Sequence, residues 1–159
     1  MAVSIPIEGG CQCGALRYQL SAAPVGMYAC HCTNCQKQTG SAFVLSAAII
    51  EATFSFTEGE PSETNWTSDA GNKRYGKFCG SCGNRIVNGA KPSIGILSLR
   101  AGTIDDTSWI KPGGHIWTKS AQPWIKFSED DLLFEGQPED YGPLIQRFRE
   151  LVEFEDTST

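Results

Sequence analysis

Cysteine thiolates are soft, anionic metal donors, and the seven in this chain are spaced as metal ligands are. They stand in Cys11-Gln12-Cys13, Cys30-His31-Cys32, Cys32-Thr33-Asn34-Cys35 and Cys79-Gly80-Ser81-Cys82. With one residue between them on an extended strand, two sulfurs share a face and can grip one ion. With two residues between them, a tight turn aims both at one ion, and the small or polar loop residues and Gly83 suit that turn. An odd count of closely spaced cysteines points to metal rather than disulfides in a reducing compartment. Thiolates in tetrahedral number favour zinc, with iron the main competitor, and exclude Mg²⁺ and Ca²⁺ by ligand type.

A closed site needs four ligands, so pairs distant in sequence must combine. In one grouping Cys11 and Cys13 join Cys79 and Cys82, leaving Cys30, Cys32 and Cys35 as a trio with a vacant fourth position, as a catalytic zinc needs. In the other, Cys32 and Cys35 join Cys79 and Cys82, and Cys11, Cys13 and Cys30 are left over. Spacing alone leaves both open.

The elements that must position these residues are mostly strands. The 17 glycines and 8 prolines are dispersed between short apolar runs, which predicts many tight turns and a mainly β fold. At 159 residues and 40% apolar content, one domain with one core is expected. Leu16, Tyr18 and Leu20 alternate on one face of a strand over 12–20, and a second strand is predicted over 25–32. The segment TNCQKQTG reads as a metal-holding turn with room for one helical turn, ending at Gly40, before a strand in SAFVLSAAII. Further strands are predicted over 53–56, 63–67, 73–78, 85–87, 95–100 and 115–118, with turns at SDAGNK and KPGG. Past Pro143, the residues Leu144, Ile145, Phe148, Leu151 and Val152 recur at helical spacing. The expected organisation is a zinc-binding β domain over 1–142, a helix over 143–154 packed on it or on a partner subunit, and a frayed tail over 155–159.

The balance of charges, −5 with no cluster of Lys and Arg, argues against nucleic acid as a partner. The segment MAVSIPIEGG has neither the charged start nor the apolar stretch of a signal peptide, and no apolar run is long enough to span a membrane. A soluble, cytoplasmic protein is the expectation, with a homodimer possible through the C-terminal helix.

Four segments in order, GGCQCGALRY, CHCTNCQKQTGSAF, FCGSCGN and GGHIWTKSAQPW, resemble the glutathione-dependent formaldehyde-activating enzyme family, whose domain also occurs in centromere protein V. The resemblance runs from Gly9 to about Trp124. It implies an Mss4-like zinc-binding β fold and the first grouping. Cys11, Cys13, Cys79 and Cys82 then match the family's structural zinc ligands, and Cys30, Cys32 and Cys35 its exchangeable or catalytic zinc. It also implies a carbon-sulfur lyase that joins the small-molecule thiol glutathione to formaldehyde, giving S-hydroxymethylglutathione. Because three thiolates leave Zn²⁺ formally negative, thiol positioning is expected of the open site in preference to carbonyl activation.

Other residues carry weaker expectations. On a strand His31 faces away from the metal its neighbours share, leaving it an outer hydrogen-bonding role. Ser41 and Phe43 follow the trio closely enough to line its pocket, with core packing the alternative for Phe43. His115 is a candidate near the substrate, or else a structural histidine. Trp117 and Trp124 are expected to shelter the open site or fill the core. Against the enzyme stands a non-catalytic, zinc-stabilised protein-binding module, and a third reading is a redox sensor that releases zinc on oxidation.

Overall fold

Residues 2–156 are described by a computed structural model. Twelve strands and two α-helices follow one another as β1 (Val3–Ile5), β2 (Ile7–Gly10), β3 (Arg17–Leu20), β4 (Gly26–Cys30), α1 (Thr33–Thr39), β5 (Val44–Ile50), β6 (Phe54–Glu58), β7 (Ser62–Thr67), β8 (Lys73–Phe78), β9 (Arg85–Ala90), β10 (Ile96–Arg100), β11 (His115–Ile116), α2 (Gly142–Leu151) and β12 (Phe154–Asp156). The mainly β expectation holds. Leu16, Tyr18 and Leu20 are all buried as read, although only the last four residues of the expected 12–20 strand are extended.

The large sheet has the order β11-β4-β5-β10-β9-β8-β7 and is antiparallel except where β11 runs parallel to β4. A smaller sheet, β2-β3-β6, supplies Ile7, Tyr18 and Leu20 to an apolar core shared with Met27, Ala47, Ile49, Leu97 and Leu99 of the large sheet. The period-two pleat sends the alternate residues to the opposite face. Across that face, register aligns Tyr28 with Ser46 and Ser46 with Arg100, and pairs Cys30 with Val44 and with Ile116. A polar row thus crosses a sheet whose other side is oily.

The segment expected to be little more than a turn is a true helix, α1. Cys32 caps its start, accepting the Cys35 N–H on its own sulfur, and Gly40 ends it in the left-handed conformation. Helix α2 begins with Pro143 in its first turn, as predicted, and buries Leu144 and Phe148 against the sheet. Gly113 and Gly114 let it approach: a Cβ at either would stand 2.4 Å from the Leu144 carbonyl or 2.6 Å from that of Leu132. The expected fraying of the tail is corrected in part. Phe154–Asp156 pair in parallel with Val3–Ile5, because Phe154 packs edge-on against Trp109 and beside Phe148. Residues 157–159 lie outside the described residues.

Candidate functional site

Cys11, Cys13, Cys79 and Cys82 come together from two loops of like construction. In the first, the Cys11 N–H donates to the Leu16 carbonyl and the Gly14 N–H to the Cys11 carbonyl. In the second, the Cys79 N–H donates to Asn84 and the Gly83 N–H to Cys79. Gly14 and Gly83 both take φ +77°, a left-handed turn that other residues adopt only under strain. The pair Cys11–Cys13 therefore sits on a tight turn and not on the extended strand its spacing suggested. A Gln12 N–H to Asn84 Oδ1 bond of 3.0 Å ties one loop to the other.

The sulfurs of Cys11 and Cys13 are 3.6 Å apart, and those of Cys13 and Cys79 3.7 Å. Four sulfurs about 2.3 Å from a tetrahedral zinc would stand about 3.8 Å from one another, so this donor set fits the ion. Burial works against ionisation of Cys11, but the Leu16 N–H and the three neighbouring sulfurs outweigh it and bring its pKa down to about 6. Cys82 is held down by the N–H groups of Asn84 and Cys13. Against the Ala15 N–H, which favours its thiolate, the three neighbouring sulfurs push Cys13 up to about 11, so without a cation the four do not ionise together.

Cys30, Cys32 and Cys35 form the second group, with all three sulfurs within 4.8 Å of one another. Strand β4 delivers Cys30, and the first turn of α1 delivers the other two. Hydrogen bonding from Cys30 and Cys35 drives the Cys32 thiol far below its ordinary value, while the same contacts and burial push Cys30 far above. In the absence of a cation one thiolate of the trio opposes ionisation of the others. The structure brings the cysteines together in the first grouping and does not place Cys32 and Cys35 with Cys79 and Cys82.

The trio opens into a cleft of about 820 Å³ on the polar face of the large sheet. Tyr28, Val44, Ser46, Ser98, Arg100 and Asn88 line its floor, and Trp66, Arg74, Trp117, Lys119 and Tyr141 are also among its walls. Trp117 is held at φ +58°, the sole non-glycine among the described residues with positive φ, and donates its ring N–H to Gln137 at 3.0 Å. Such strain costs on the order of 1–3 kcal/mol and gathers at functional sites.

Over residues 6–120 the chain matches the profile of the glutathione-dependent formaldehyde-activating enzyme family. The chain belongs to that family. Among solved structures, a Rhodobacter sphaeroides protein aligns with TM-score 0.48 and 16% identity, covering 64% of this chain and 90% of that one. Membership of the formaldehyde-activating enzyme family accords with both cysteine groups, which together account for all seven cysteines of the chain.

Within this family member, three residues expected at the substrate are not among those lining the cleft. Ser41 is exposed just beyond α1, and Phe43, one residue ahead of cleft-lining Val44, turns to the other side and packs on His31 at 5.1 Å. His115 likewise faces away from Ile116 and the cleft, its Nδ1 2.9 Å from Nε2 of buried His31. Alternation along the chain at the start of β5 and in β11 is the reason for Phe43 and His115, whereas Ser41 lies in the bend between α1 and β5. Asp131 stands 3.8 Å from Nε2 of His115, which favours the proton there and leaves Nδ1 to accept from His31. His31 faces away from the thiols, as its place between two cysteines predicted. Trp117 does border the cleft, whereas Trp124 is 67% exposed and neither fills the core nor covers the trio.

Sequence reasoning missed the residues that hold α1 in place. The Gln36 side-chain amide donates to the carbonyls of His31 (2.7 Å) and Ser120 (2.8 Å) and accepts from Gln122 (2.8 Å). Ser120 Oγ donates to the same His31 carbonyl at 3.0 Å. Recognition of α1 as a helix would have marked Gln36, next to Cys35, as a positioning residue. Arg100 was also missed; its strand was read, but no local signal says which neighbour it meets.

Proposed function

We propose that this chain catalyses addition of the glutathione thiol to formaldehyde, giving S-hydroxymethylglutathione, at a zinc centre held by Cys30, Cys32 and Cys35. The observation that carries this reading is the contrast between the two cysteine groups. Four sulfurs close one, while the other has three and opens on a cleft large enough for a peptide-sized thiol. Zinc bound by the trio would lower the pKa of a thiol and orient it for attack.

The chain's own side chains do the rest. Cys32 and Cys35 are set by the α1 turn, and Gln36 locks that turn to the loop at Ser120, so the trio is rigid. Arg74 and Lys119 supply cations along the cleft for the two carboxylates of glutathione, and Trp66 and Trp117 give it apolar walls. In the reaction the sulfur forms a bond to the formaldehyde carbon, the carbonyl π pair moves to oxygen, and the proton lost by the thiol ends on the new hydroxyl. Holding both reactants in one orientation removes much of the entropic barrier. Cys11, Cys13, Cys79 and Cys82 would hold a second, structural zinc. The cytoplasm, where thiols are kept reduced, is the compartment this reading requires.

Exchange spectroscopy on glutathione mixed with formaldehyde tests the proposal. Acceleration should scale with zinc-loaded protein and disappear in Cys35→Ser. Protein carrying two zincs per chain that leaves the uncatalysed rate untouched would overturn it in favour of a binding module.

A further inference from the structure

We infer that Arg100 is the counter-charge of the three-cysteine centre, a positioning residue whose guanidinium stabilises the excess negative charge of three thiolates, a divalent ion and an incoming thiolate. The inference rests on reading the trio as a metal centre. It is independent of which thiol or carbonyl reacts there.

Arg100 ends β10 on the cleft floor and is only 7% exposed, although arginine is almost never buried without an anionic partner. Among the described residues, none of the ion pairs includes it. Its hydrogen bonds go to neutral oxygens alone: one Nη donates to Gln38 Oε1, the other to Ser98 Oγ at 3.4 Å, and Nε has no partner. A full positive charge is therefore fixed in the floor by groups that cannot neutralise it.

The groups that line the cleft with it point to the missing anion. They are Tyr28 and Cys30 of β4, Ser46 of β5, Ser98 of its own strand, and at α1 Gln38 together with Cys35 and Cys32. Burial holds the Arg100 pKa below its ordinary value, and the charges of Cys35, Tyr28, Cys30 and Cys32 offset only part of that. Gln38 lies three residues beyond Cys35, so the bond from Arg100 fastens the cation to the helix that carries two of the three sulfurs.

Charge arithmetic shows why such a residue is needed. Three thiolates and Zn²⁺ sum to −1, and a thiolate in the fourth position makes −2. That charge would sit in a half-buried site of low effective dielectric, where a fixed neighbouring cation acts far more strongly than one in water. The four-cysteine group is −2 with zinc as well, but its Cys13 and Cys82 are exposed, so water can solvate that charge.

Zinc retention measured on the holoprotein, by competition with a chromophoric chelator, tests this without reference to turnover. The slowly exchanging ion serves as an internal control. Arg100→Met is expected to weaken the fast-exchanging ion by about ten- to a hundredfold, as loss of an outer-sphere partner does, with Arg100→Lys affected much less. The slow ion and the melting temperature should not move. Gln38→Glu, on the exposed side of α1, keeps the arginine and gives it a competing carboxylate, so the fast ion should again be held less tightly. Unchanged retention in both Arg100→Met and Gln38→Glu overturns the inference. So does equal weakening of both ions with a lowered melting temperature, which would mark Arg100 as a purely structural residue. Should Arg100→Met fail to fold, Gln38→Glu against the wild type decides. A wild type that retains two ions and responds to these substitutions, yet does not accelerate the glutathione reaction, would sink the proposed function and leave Arg100 in its role.

Discussion

The two cysteine groups differ in what the loss of one sulfur should do. Cys79 is 2% exposed and joins loops 66 residues apart in sequence, so a metal held there would be coupled to folding. Cys79→Ser is expected to give protein without cooperative unfolding by circular dichroism, whereas Cys30→Ser should stay folded and carry one zinc fewer. The reverse pattern would exchange the roles of the two groups. The histidines offer a separate residue-scale test. Burial depresses the pKa of His115, against the opposing pull of Asp131, and burial depresses that of His31 as well. The unfolded chain takes up protons below about pH 6.5 where these folded histidines resist them, so their contribution is complete above that value and falls away as the medium is acidified. His115→Asn should flatten the loss of stability between about pH 7.5 and 5.5 in denaturant titrations, and an unchanged slope would refute the assignment. From sequence, the donor types and the outward turn of His31 were legible because they depend on residue chemistry and strand alternation. The same alternation removes Phe43 and His115 from the cleft, and it was not applied to them because the direction of the cleft depends on strands far away in the chain.

At the scale of elements, α2 and the segment at 111–114 stand or fall together. Phe148 is fully buried between the sheet and β12, and Phe148→Ala should cost about 3–5 kcal/mol in chemical denaturation. Gly113→Ala would drive a Cβ into the Leu144 carbonyl and should cost about 1–3 kcal/mol, although the substituted residue is itself a good helix former and adds no polar group. A silent Gly113→Ala would mean that α2 can move away from β11 freely. Strands at 73–78 and the helix after Pro143 were legible since both carry complete local patterns with their own turn or cap residues. The short β1, β2 and β12 were not, because three or four residues hold too few alternations to register. Helix α1 was underestimated for another reason: it buries none of its residues, so the apolar periodicity that reveals a helix is missing.

For the whole molecule, the fold separates a four-cysteine group between two loops from a three-cysteine group beneath a cleft, so on the proposed reading metal should leave in two stages. Brief chelation of protein holding two zincs is expected to remove one while far-ultraviolet circular dichroism is retained, with the second lost only as the chain unfolds. Simultaneous loss of both would argue against the separation. Residue chemistry and local spacing by themselves determined that the chain carries soft donors spaced to hold a metal, that it is mainly β, that a helix follows Pro143, and that four segments resemble one family. These follow from side-chain donor type and from periods of two and 3.6 residues, which act over a few neighbours. Spacing left open which cysteines share a site, the resemblance implied one grouping, and the tertiary structure decided it, since Cys13 and Cys79 meet through the pairing of loops that neither segment encodes alone. It alone decided that Arg100 and the trio line one cleft, because β10 reaches Cys30 only through β5, and that register is set by how every strand in the sheet buries its apolar face.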